Sequence, residues 1–164
     1  KSPVDVVYVV DSYGSLDHRD IEYLVTKFQR HLPGKQLGIH AHNNMQLAFS
    51  NTITAAERGV QFLDASVFGM GRAAGNCNTE LLVSYLKNPK YELRPILEVI
   101  ERRMIPLREK VEWGYIVPYM LTGMLNEHPR VAMALRASED KDKYAEFYDR
   151  LTSPETVPSA RGGD

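Results

Sequence analysis

The sequence predicts an α/β fold in which about three strand-helix units are followed by a helical carboxyl-terminal region. Three segments rich in β-branched residues begin near residues 4, 36 and 62, so the unit repeats about every 30 residues. Each segment runs into a polar or glycine-rich turn, and no strand pattern appears after residue 86. Parallel strands need long crossover connections, so this alternation is typical of a parallel sheet or barrel.

The first unit combines a strand at residues 4–10 with a helix at residues 17–32. The strand is almost continuously apolar, as expected of a parallel strand that is covered on both faces. Apolar residues between positions 21 and 32 recur at helical spacing, and Pro33 and Gly34 end the helix.

The second and third units follow the same plan. The second has a strand at residues 35–42 and a helix at residues 45–58, with Gly59 just past the helix end. The third has a strand at residues 62–68, a glycine-rich loop, and a helix over 79–86. The carboxyl ends of all three strands are expected at one edge of the sheet, where the chemistry of parallel α/β proteins is found.

The rest of the chain reads as helices separated by proline, glycine or asparagine. They are predicted over 95–103, 105–113, 117–126, 131–136 and 141–151. We therefore expect βα units over 1–88, a helical region over 89–152, and a disordered tail rich in proline, serine and glycine over 153–164.

Composition excludes several classes of partner. The 164 residues include 20 Lys and Arg against 21 Asp and Glu, without a basic block, so no nucleic-acid partner is expected. No apolar run approaches the roughly 20 residues that span a bilayer, so no membrane partner is expected. The single cysteine, Cys77, excludes an internal disulfide and indicates a cytoplasmic protein. No signal peptide is recognised at the start, where the chain is expected to begin inside a longer protein.

The most informative stretch is GIHAHNN at residues 38–44. His40 and His42 are two residues apart on a strand, so both side chains point the same way and can chelate one divalent metal ion. The same spacing also fits a polar strand end that binds nothing, and spacing by itself does not decide between the two. The loop carrying Gly69, Gly71 and Gly75 lacks both the P-loop lysine and the dinucleotide glycine spacing, so nucleotide binding is disfavoured.

Three motifs together resemble a known superfamily. DSYGSL at 11–16, GIHAHNN at 38–44 and DASVFGMGRAAGN at 64–76 resemble the last three βα units of the metal-dependent aldolase and lyase TIM barrels. That superfamily includes 4-hydroxy-2-oxovalerate aldolase, hydroxymethylglutaryl-CoA lyase and isopropylmalate synthase, and the first of these branches is the most similar. The resemblance is strong over 4–86 and fainter to about residue 130, and it implies the carboxyl-terminal part of a (β/α)8 barrel.

The resemblance implies a set of site residues. His40 and His42 would bind a divalent metal ion, most often Mn²⁺, with Mg²⁺ or Co²⁺ as alternatives, and Asn76 is a weaker candidate ligand. Ser12 and His40 would contact the substrate, and Tyr115, in the WGYIVPY motif, would lie beside bound pyruvate and donate a proton.

The same resemblance implies a reaction and partners. A carbon-carbon bond of a short 4-hydroxy-2-oxo acid would be cleaved or formed through a metal-stabilised pyruvate enolate. The implied partners are a small 2-oxo acid substrate, further copies of the same chain in a homo-oligomer, and an aldehyde dehydrogenase subunit.

Two departures from the superfamily pattern matter. Its first barrel strand supplies an Arg-Asp pair that includes a metal ligand, whereas Arg19-Asp20 lies on a predicted helix and does not match that context. Since three units cannot close an eight-stranded barrel, the isolated chain is expected to be inactive. Cys77 follows Asn76, whereas the lyase branch carries its catalytic cysteine ahead of the asparagine. We therefore expect hydroxymethylglutaryl-CoA lyase activity to be absent. Cys77 itself is expected to be buried.

Two other readings remain open. The His-x-His pair also occurs in amidohydrolase-type metal hydrolases, although the chain has few strands after it and that reading leaves the AGN loop unexplained. The helices beyond residue 95 could instead form a non-catalytic module that docks a partner subunit. His18 and His128 are interpreted as residues near helix ends, and Trp113 as an anchor between the βα units and the helical region.

Overall fold

A computed structural model describes residues 3–153. Its sheet has three parallel strands, β1 (Val6–Asp11), β2 (Gln36–Ala41) and β3 (Phe62–Leu63), in the order β1-β2-β3. Helices separate consecutive strands, because a parallel connection must return the chain to the opposite end of the sheet. The predicted α/β class is confirmed.

The helices in the described residues follow the predicted order. They are α1 (His18–His31), α2 (Ala48–Glu57), α3 (Thr79–Leu86), α4 (Leu93–Val99), α5 (Ile105–Arg108), α6 (Val117–Met124), α7 (Arg130–Arg136) and α8 (Tyr144–Thr152). None of these helices has the length and apolar character needed to cross a bilayer. The expected tail over 153–164 lies, from residue 154 onward, outside the described residues.

The main core lies between one face of the sheet and helices α1 and α2. Val9, Leu37 and Ile39 from the strands are almost fully buried with Ile21 and Val25 from α1. Because neighbouring side chains alternate along a strand, the residues between these core positions lie on the second face of the sheet. Among those second-face residues, the side chain of Val10 is half exposed.

The third strand is much shorter than the predicted segment 62–68. Only Phe62–Leu63 pairs with β2, and Val67–Gly69 forms a 3₁₀ turn. Phe68 adopts a left-handed conformation with φ of 57°, which the pleated strand geometry does not allow. The Ser66 amide instead donates to the carbonyl of Cys77 at 2.9 Å, so this segment pairs with the returning loop.

The two helices predicted over 95–103 and 105–113 are one continuous helical segment that ends earlier. α4 continues through a wide π-helical turn, Ile100–Met104, directly into α5. The wide turn precedes Pro106, which has no amide hydrogen and therefore interrupts the usual hydrogen-bond ladder. The sequence analysis had placed a break between two helices at this position.

A second hydrophobic cluster lies in the helical region. Tyr119 and Leu121 of α6 pack with Ala132 and Leu135 of α7 and with Phe147 of α8.

Helix α2 starts three residues later than predicted, after Gln46 takes a left-handed conformation with φ of 59°. The observed bounds of α6, α7 and α8 differ from the predicted ones by at most three residues at either end.

Specific contacts hold the helical region over the carboxyl ends of the strands. The Trp113 indole is buried, and its Nε1 donates to the carbonyl of Phe68 at 2.9 Å. Asn44, also buried, donates from Nδ2 to the carbonyl of Tyr119 at 3.1 Å. The first contact confirms the prediction that Trp113 anchors the two parts of the chain.

Candidate metal and substrate site

His40 and His42 lie on the second face of the sheet, at the carboxyl end of β2. Their ring centroids are 5.1 Å apart, and the ring planes meet at 83°. His40 pairs with Val10 in the parallel register, and the amide of His42 donates to the carbonyl of Asp11 at 3.3 Å. The two imidazoles therefore project together, as the strand alternation predicts.

Asp64 is a neighbour of this pair that the prediction did not assign to the site. Its Oδ2 lies 3.1 Å from Nδ1 of His40, with the His40 side chain 30% exposed and that of Asp64 45% exposed. A carboxylate that accepts from Nδ1 fixes the tautomer and leaves Nε2 free to bind a metal ion. The sequence signal was present, because Asp64 lies two residues into the predicted third strand; in the structure it directly follows β3, one residue past the Ile39–Leu63 pair.

Tyr8 extends the same arrangement along β1. Burial, the negative charge of Asp64 and a side-chain hydrogen bond with Asp64 raise the pKa of the Tyr8 phenol. The Tyr8 ring lies directly over Gly38, where an added Cβ would be only 2.5 Å from the ring. Gly38 is thus required for the close approach of Tyr8 to the second strand.

The environment of His42 favours a neutral ring. Burial lowers the pKa of His42, and the positive charges of His40 and Arg72 lower it further. A hydrogen bond with the backbone at Gly75 acts in the opposite direction. A neutral imidazole is the form that binds a metal ion.

Asn76 is held beside His42 by the glycine-rich loop. The two residues form an isolated antiparallel bridge, and the Asn76 amide donates to the carbonyl of Gly69 at 3.1 Å. The side-chain Nδ2 of Asn76 donates to the carbonyl of Met70 at 3.2 Å. Oδ1 is buried, with no hydrogen-bond partner among the described residues, which makes it a candidate ligand.

The donor set fits part of a divalent-metal shell. Two imidazole nitrogens and an amide oxygen are the mixed nitrogen and oxygen donors that suit Mn²⁺, Mg²⁺ or Co²⁺. Within residues 3–153, no group of three or more histidine, cysteine, aspartate or glutamate side chains could hold a metal ion. His40, His42 and Asn76 would therefore supply part of the shell.

Tyr115 and Asn76 line one cleft of about 230 Å³, which we call the Asn76 cleft. Its wall also includes the side chains of Asn43, Gln46, Arg108 and Trp113. Tyr115 is 58% exposed, so the residue is accessible to a ligand. Two of the predicted site residues thus share a cavity, although they are 39 positions apart in the sequence.

Ser12 occupies a different hollow, which it lines together with Tyr13, Ser15 and Asn126. The turn that carries Ser12 is organised by Asp11, whose buried carboxylate accepts from the backbone amides of Ser15 and Leu16 at 3.1 and 3.3 Å. Burial raises the pKa of Asp11, and those backbone hydrogen bonds partly offset the effect. Asp11 therefore shapes the turn, while Ser12 is exposed.

The residues that were expected to have structural roles have them. Cys77 is fully buried in the main core, where burial raises the pKa of its thiol. Asp20 completes the capping box of α1 with Asp17, so Arg19-Asp20 lies at a helix start as predicted. His128 accepts from the amide of Arg130 through Nδ1 at 3.1 Å.

A sequence model of the HMGL-like family matches residues 3–101, which include both histidines, Asn76 and the whole sheet. This chain belongs to the HMGL-like family. The family comprises metal-dependent lyases, which agrees with the paired imidazoles and the unpartnered amide oxygen.

Curated relatives include two bacterial aldolases. The chain is 38% identical over 107 residues to 4-hydroxy-2-oxovalerate aldolase 2 of Nocardia farcinica, covering 63% of this chain and 31% of that protein. It is 35% identical over 127 residues to the 4-hydroxy-2-oxovalerate aldolase of Thermus thermophilus, covering 70% and 37%. The chain thus spans about a third of the length of these relatives.

Solved structures place the fold among the same proteins. The N-terminal domain of a protein assigned as an aldolase from Bacteroides vulgatus matches with a TM-score of 0.70 and 33% identity, over 86% of this chain and 48% of that one. The HMG-CoA lyase of Bacillus subtilis matches with a TM-score of 0.56 and 21% identity, over 69% and 40%, which concerns the fold only. The α/β fold is therefore of the type found in lyase and aldolase TIM barrels.

Proposed function

We propose that the chain is the carboxyl-terminal part of a divalent-metal-dependent aldolase that cleaves or forms a carbon-carbon bond in a short 4-hydroxy-2-oxo acid. The observation that carries this proposal is the pair of imidazole rings, 5.1 Å apart, beside an asparagine with an unpartnered buried oxygen. The named aldolases among the relatives support the same reaction class.

Each residue has a defined task in this proposal. His40, His42 and Asn76 hold the metal ion, Mn²⁺ in the first instance, with Mg²⁺ or Co²⁺ as alternatives. Asp64 accepts from His40 and so keeps that ring in one orientation. When bound, the ion supplies Lewis-acid stabilisation of the negative charge that develops on the 2-oxo group.

Tyr115 and Ser12 would act on the substrate itself. Tyr115 is exposed and lines the Asn76 cleft, and its phenol can donate a proton to the carbon from which the aldehyde departs. Ser12 donates a hydrogen bond to the substrate from the end of β1. The homo-oligomer and the aldehyde dehydrogenase subunit remain predictions.

The proposal is tested by titrating the chain with Mn²⁺ and measuring free Mn²⁺ by electron paramagnetic resonance. We expect His42→Ala to abolish binding and Asp64→Asn to weaken it by about 10-fold to 100-fold, the usual effect of losing a residue that orients a ligand. His18→Ala is the matched control, because His18 is exposed at the start of α1. Unchanged Mn²⁺ affinity in both His40→Ala and His42→Ala would exclude the proposed metal site.

A further inference from the structure

Arg108 is the one charged side chain among the described residues that line the Asn76 cleft. The rest of the wall consists of neutral amides, aromatic rings and small residues, with Asn43 and Gln46 among the amides. A single cation in a small polar cavity sets the sign of charge that the cavity attracts. The residues 3–101 matched by the family model end before Arg108, so this cation comes from the helical region beyond them.

The Arg108 guanidinium is held by two aromatic rings. Its central carbon lies 5.1 Å from the ring centroid of Phe68 and 5.8 Å from that of Trp113. Trp113 is itself fixed by its hydrogen bond to the carbonyl of Phe68 and is only 3% exposed. A cation–π contact with a ring uses none of the guanidinium N–H donors, so they can still donate hydrogen bonds to a ligand.

The guanidinium also packs against the backbone at Gly114. A Cβ added there would lie 2.9 Å from one terminal nitrogen of Arg108. A side chain at position 114 would therefore displace the guanidinium, so the glycine preserves the arrangement.

Arg108 is one of the described arginines that form no ion pair with a carboxylate. Arg19, Arg58 and Arg136 each form an ion pair with a carboxylate, whereas no carboxylate within residues 3–153 forms one with Arg108. If the Arg108 side chain only filled space between its neighbours, its positive charge would not need to lie beside a cavity. An unpaired guanidinium at a cleft wall is available to bind a carboxylate or a phosphate.

We propose that Arg108 binds an anionic group, a carboxylate or a phosphate, on the aldehyde portion of the substrate. This inference rests on the proposed aldolase function, because it assigns the Asn76 cleft to the part of the substrate that leaves as the aldehyde. The cavity of about 230 Å³ is smaller than the roughly 300–1,000 Å³ of sites for drug-sized ligands, so it suits a short acyclic group.

In the synthetic direction the chemistry is an aldol addition. The methyl carbon of pyruvate, after losing a proton, forms a bond with the aldehyde carbon, and the aldehyde oxygen takes up a proton to become the 4-hydroxyl group. No oxidant or reductant is needed. Arg108 stays outside the bonds that form and break, and it determines which aldehyde is held in position.

The inference is tested by tryptophan fluorescence on the chain, because Trp113 is its single tryptophan. The probes are 4-hydroxybutyrate and glycerol 3-phosphate, which are stable analogues of a carboxylate-bearing and a phosphate-bearing aldehyde. Their neutral counterparts are 1-butanol and glycerol, and ionic strength is held constant with sodium chloride. We expect saturable changes in fluorescence with at least one anionic probe and none with the neutral ones. The anionic probe that binds more tightly shows whether the cleft prefers a carboxylate or a phosphate.

Substitutions in the helical segment 93–108 test whether Arg108 is the side chain that binds the anion. Arg108→Gln should weaken binding of the preferred anion by about 10-fold or more, and Arg108→Lys should weaken it less, because lysine keeps the charge but loses the planar fork. Arg102→Gln, on the same helical segment and exposed, should leave binding unchanged. Calorimetric titration repeats these measurements in case loss of the stacked cation changes the tryptophan emission itself.

Equal responses to anionic and neutral probes, or unaltered anion binding in Arg108→Gln, would overturn the inference. The Mn²⁺ titration reports on the histidine site, and the tryptophan signal reports on the Asn76 cleft. Failure of the proposed function and failure of this inference are therefore separate results.

Discussion

The side chains at single positions decide what the two imidazoles can do. His40 and His42 lie together because every second residue of a strand faces the same way. Their neighbours make them unequal: Asp64 holds His40 through Nδ1, whereas His42 is half buried beside the positive charges of His40 and Arg72. A nearby carboxylate orients one ring, and burial keeps the other neutral.

The lowered pKa of His42 predicts a dependence of stability on pH. An unfolded histidine binds a proton near pH 6.5, whereas folded His42 does so only at a lower pH. The unfolded state therefore gains protons first as the pH falls, and the folded state loses stability below about pH 6.5. We expect His42→Gln to reduce the drop in unfolding free energy between about pH 7.5 and about pH 5.5.

Urea unfolding at the two pH values, in the presence of EDTA, measures this effect. The chelator removes any contribution from a bound metal ion. If wild-type chain and His42→Gln lose the same unfolding free energy between the two pH values, His42 is not the residue that responds.

Among the structural elements, the loop from Gly69 to Asn76 does most to shape the site. Its chain turns back on itself, so that the Asn76 amide bonds to the carbonyl of Gly69 and the amide of Asn43 bonds to the carbonyl of Gly75. Gly75 has φ of 81°, and a Cβ there would be 2.2 Å from the carbonyl oxygen of Gly69. Both the conformation and the close approach require glycine.

Gly34 provides a matched control for Gly75. It has the same φ of 81°, but no heavy atom lies within 4 Å of an added Cβ. Gly34→Ala should lower the unfolding free energy by about 1 kcal/mol, the usual penalty of a left-handed residue with a side chain. Gly75→Ala should lower it by more than about 2 kcal/mol, because a backbone clash adds to the same strain.

Urea denaturation of the two variants at one pH measures their unfolding free energies. The difference separates the cost of backbone strain from the added cost of the steric clash. Mn²⁺ affinity should fall in Gly75→Ala and stay unchanged in Gly34→Ala, since only the first substitution displaces the loop that carries Asn76. Similar losses of stability in both variants would show that the loop relaxes around the added methyl group.

For the molecule as a whole, the sheet has one covered face and one that is partly exposed. The covered face packs on α1 and α2, whereas Val10 is 50% exposed and Phe62 39% exposed. In a closed barrel, such residues would face the interior and be covered by the other strands. The chain also spans about a third of the aldolases that it matches. We infer that it forms a working site only within a larger protein.

The isolated chain should therefore release no pyruvate from 4-hydroxy-2-oxopentanoate in the presence of Mn²⁺. The reason is that His40, His42 and Asn76 leave the metal shell incomplete among the described residues. Pyruvate is measured with a coupled lactate dehydrogenase assay, with the Thermus thermophilus relative as the positive control. Turnover by the chain that disappears in the His40→Ala, His42→Ala double variant would contradict the prediction.

Sequence periodicity was sufficient for features that depend on near neighbours. It predicted both long strands, helix α1 and the shared direction of His40 and His42, because these follow from the repeat lengths of strands and helices. It failed where the backbone departs from those repeats. The third strand ends at Leu63 because the chain then pairs with the returning loop through Ser66, and the π-helical turn before Pro106 joined two predicted helices.

The sequence by itself determined the α/β class, the order of its elements, the family resemblance and the pairing of the two histidines. Only the tertiary structure showed that Asp64 bonds to His40 and Tyr8 to Asp64, that Tyr115 shares a cleft with Asn76, and that Arg108 lies over the ring of Phe68. The physical reason is distance along the chain. Local patterns follow from backbone geometry, whereas contacts between residues 24 to 56 positions apart depend on how the strands and helices pack together.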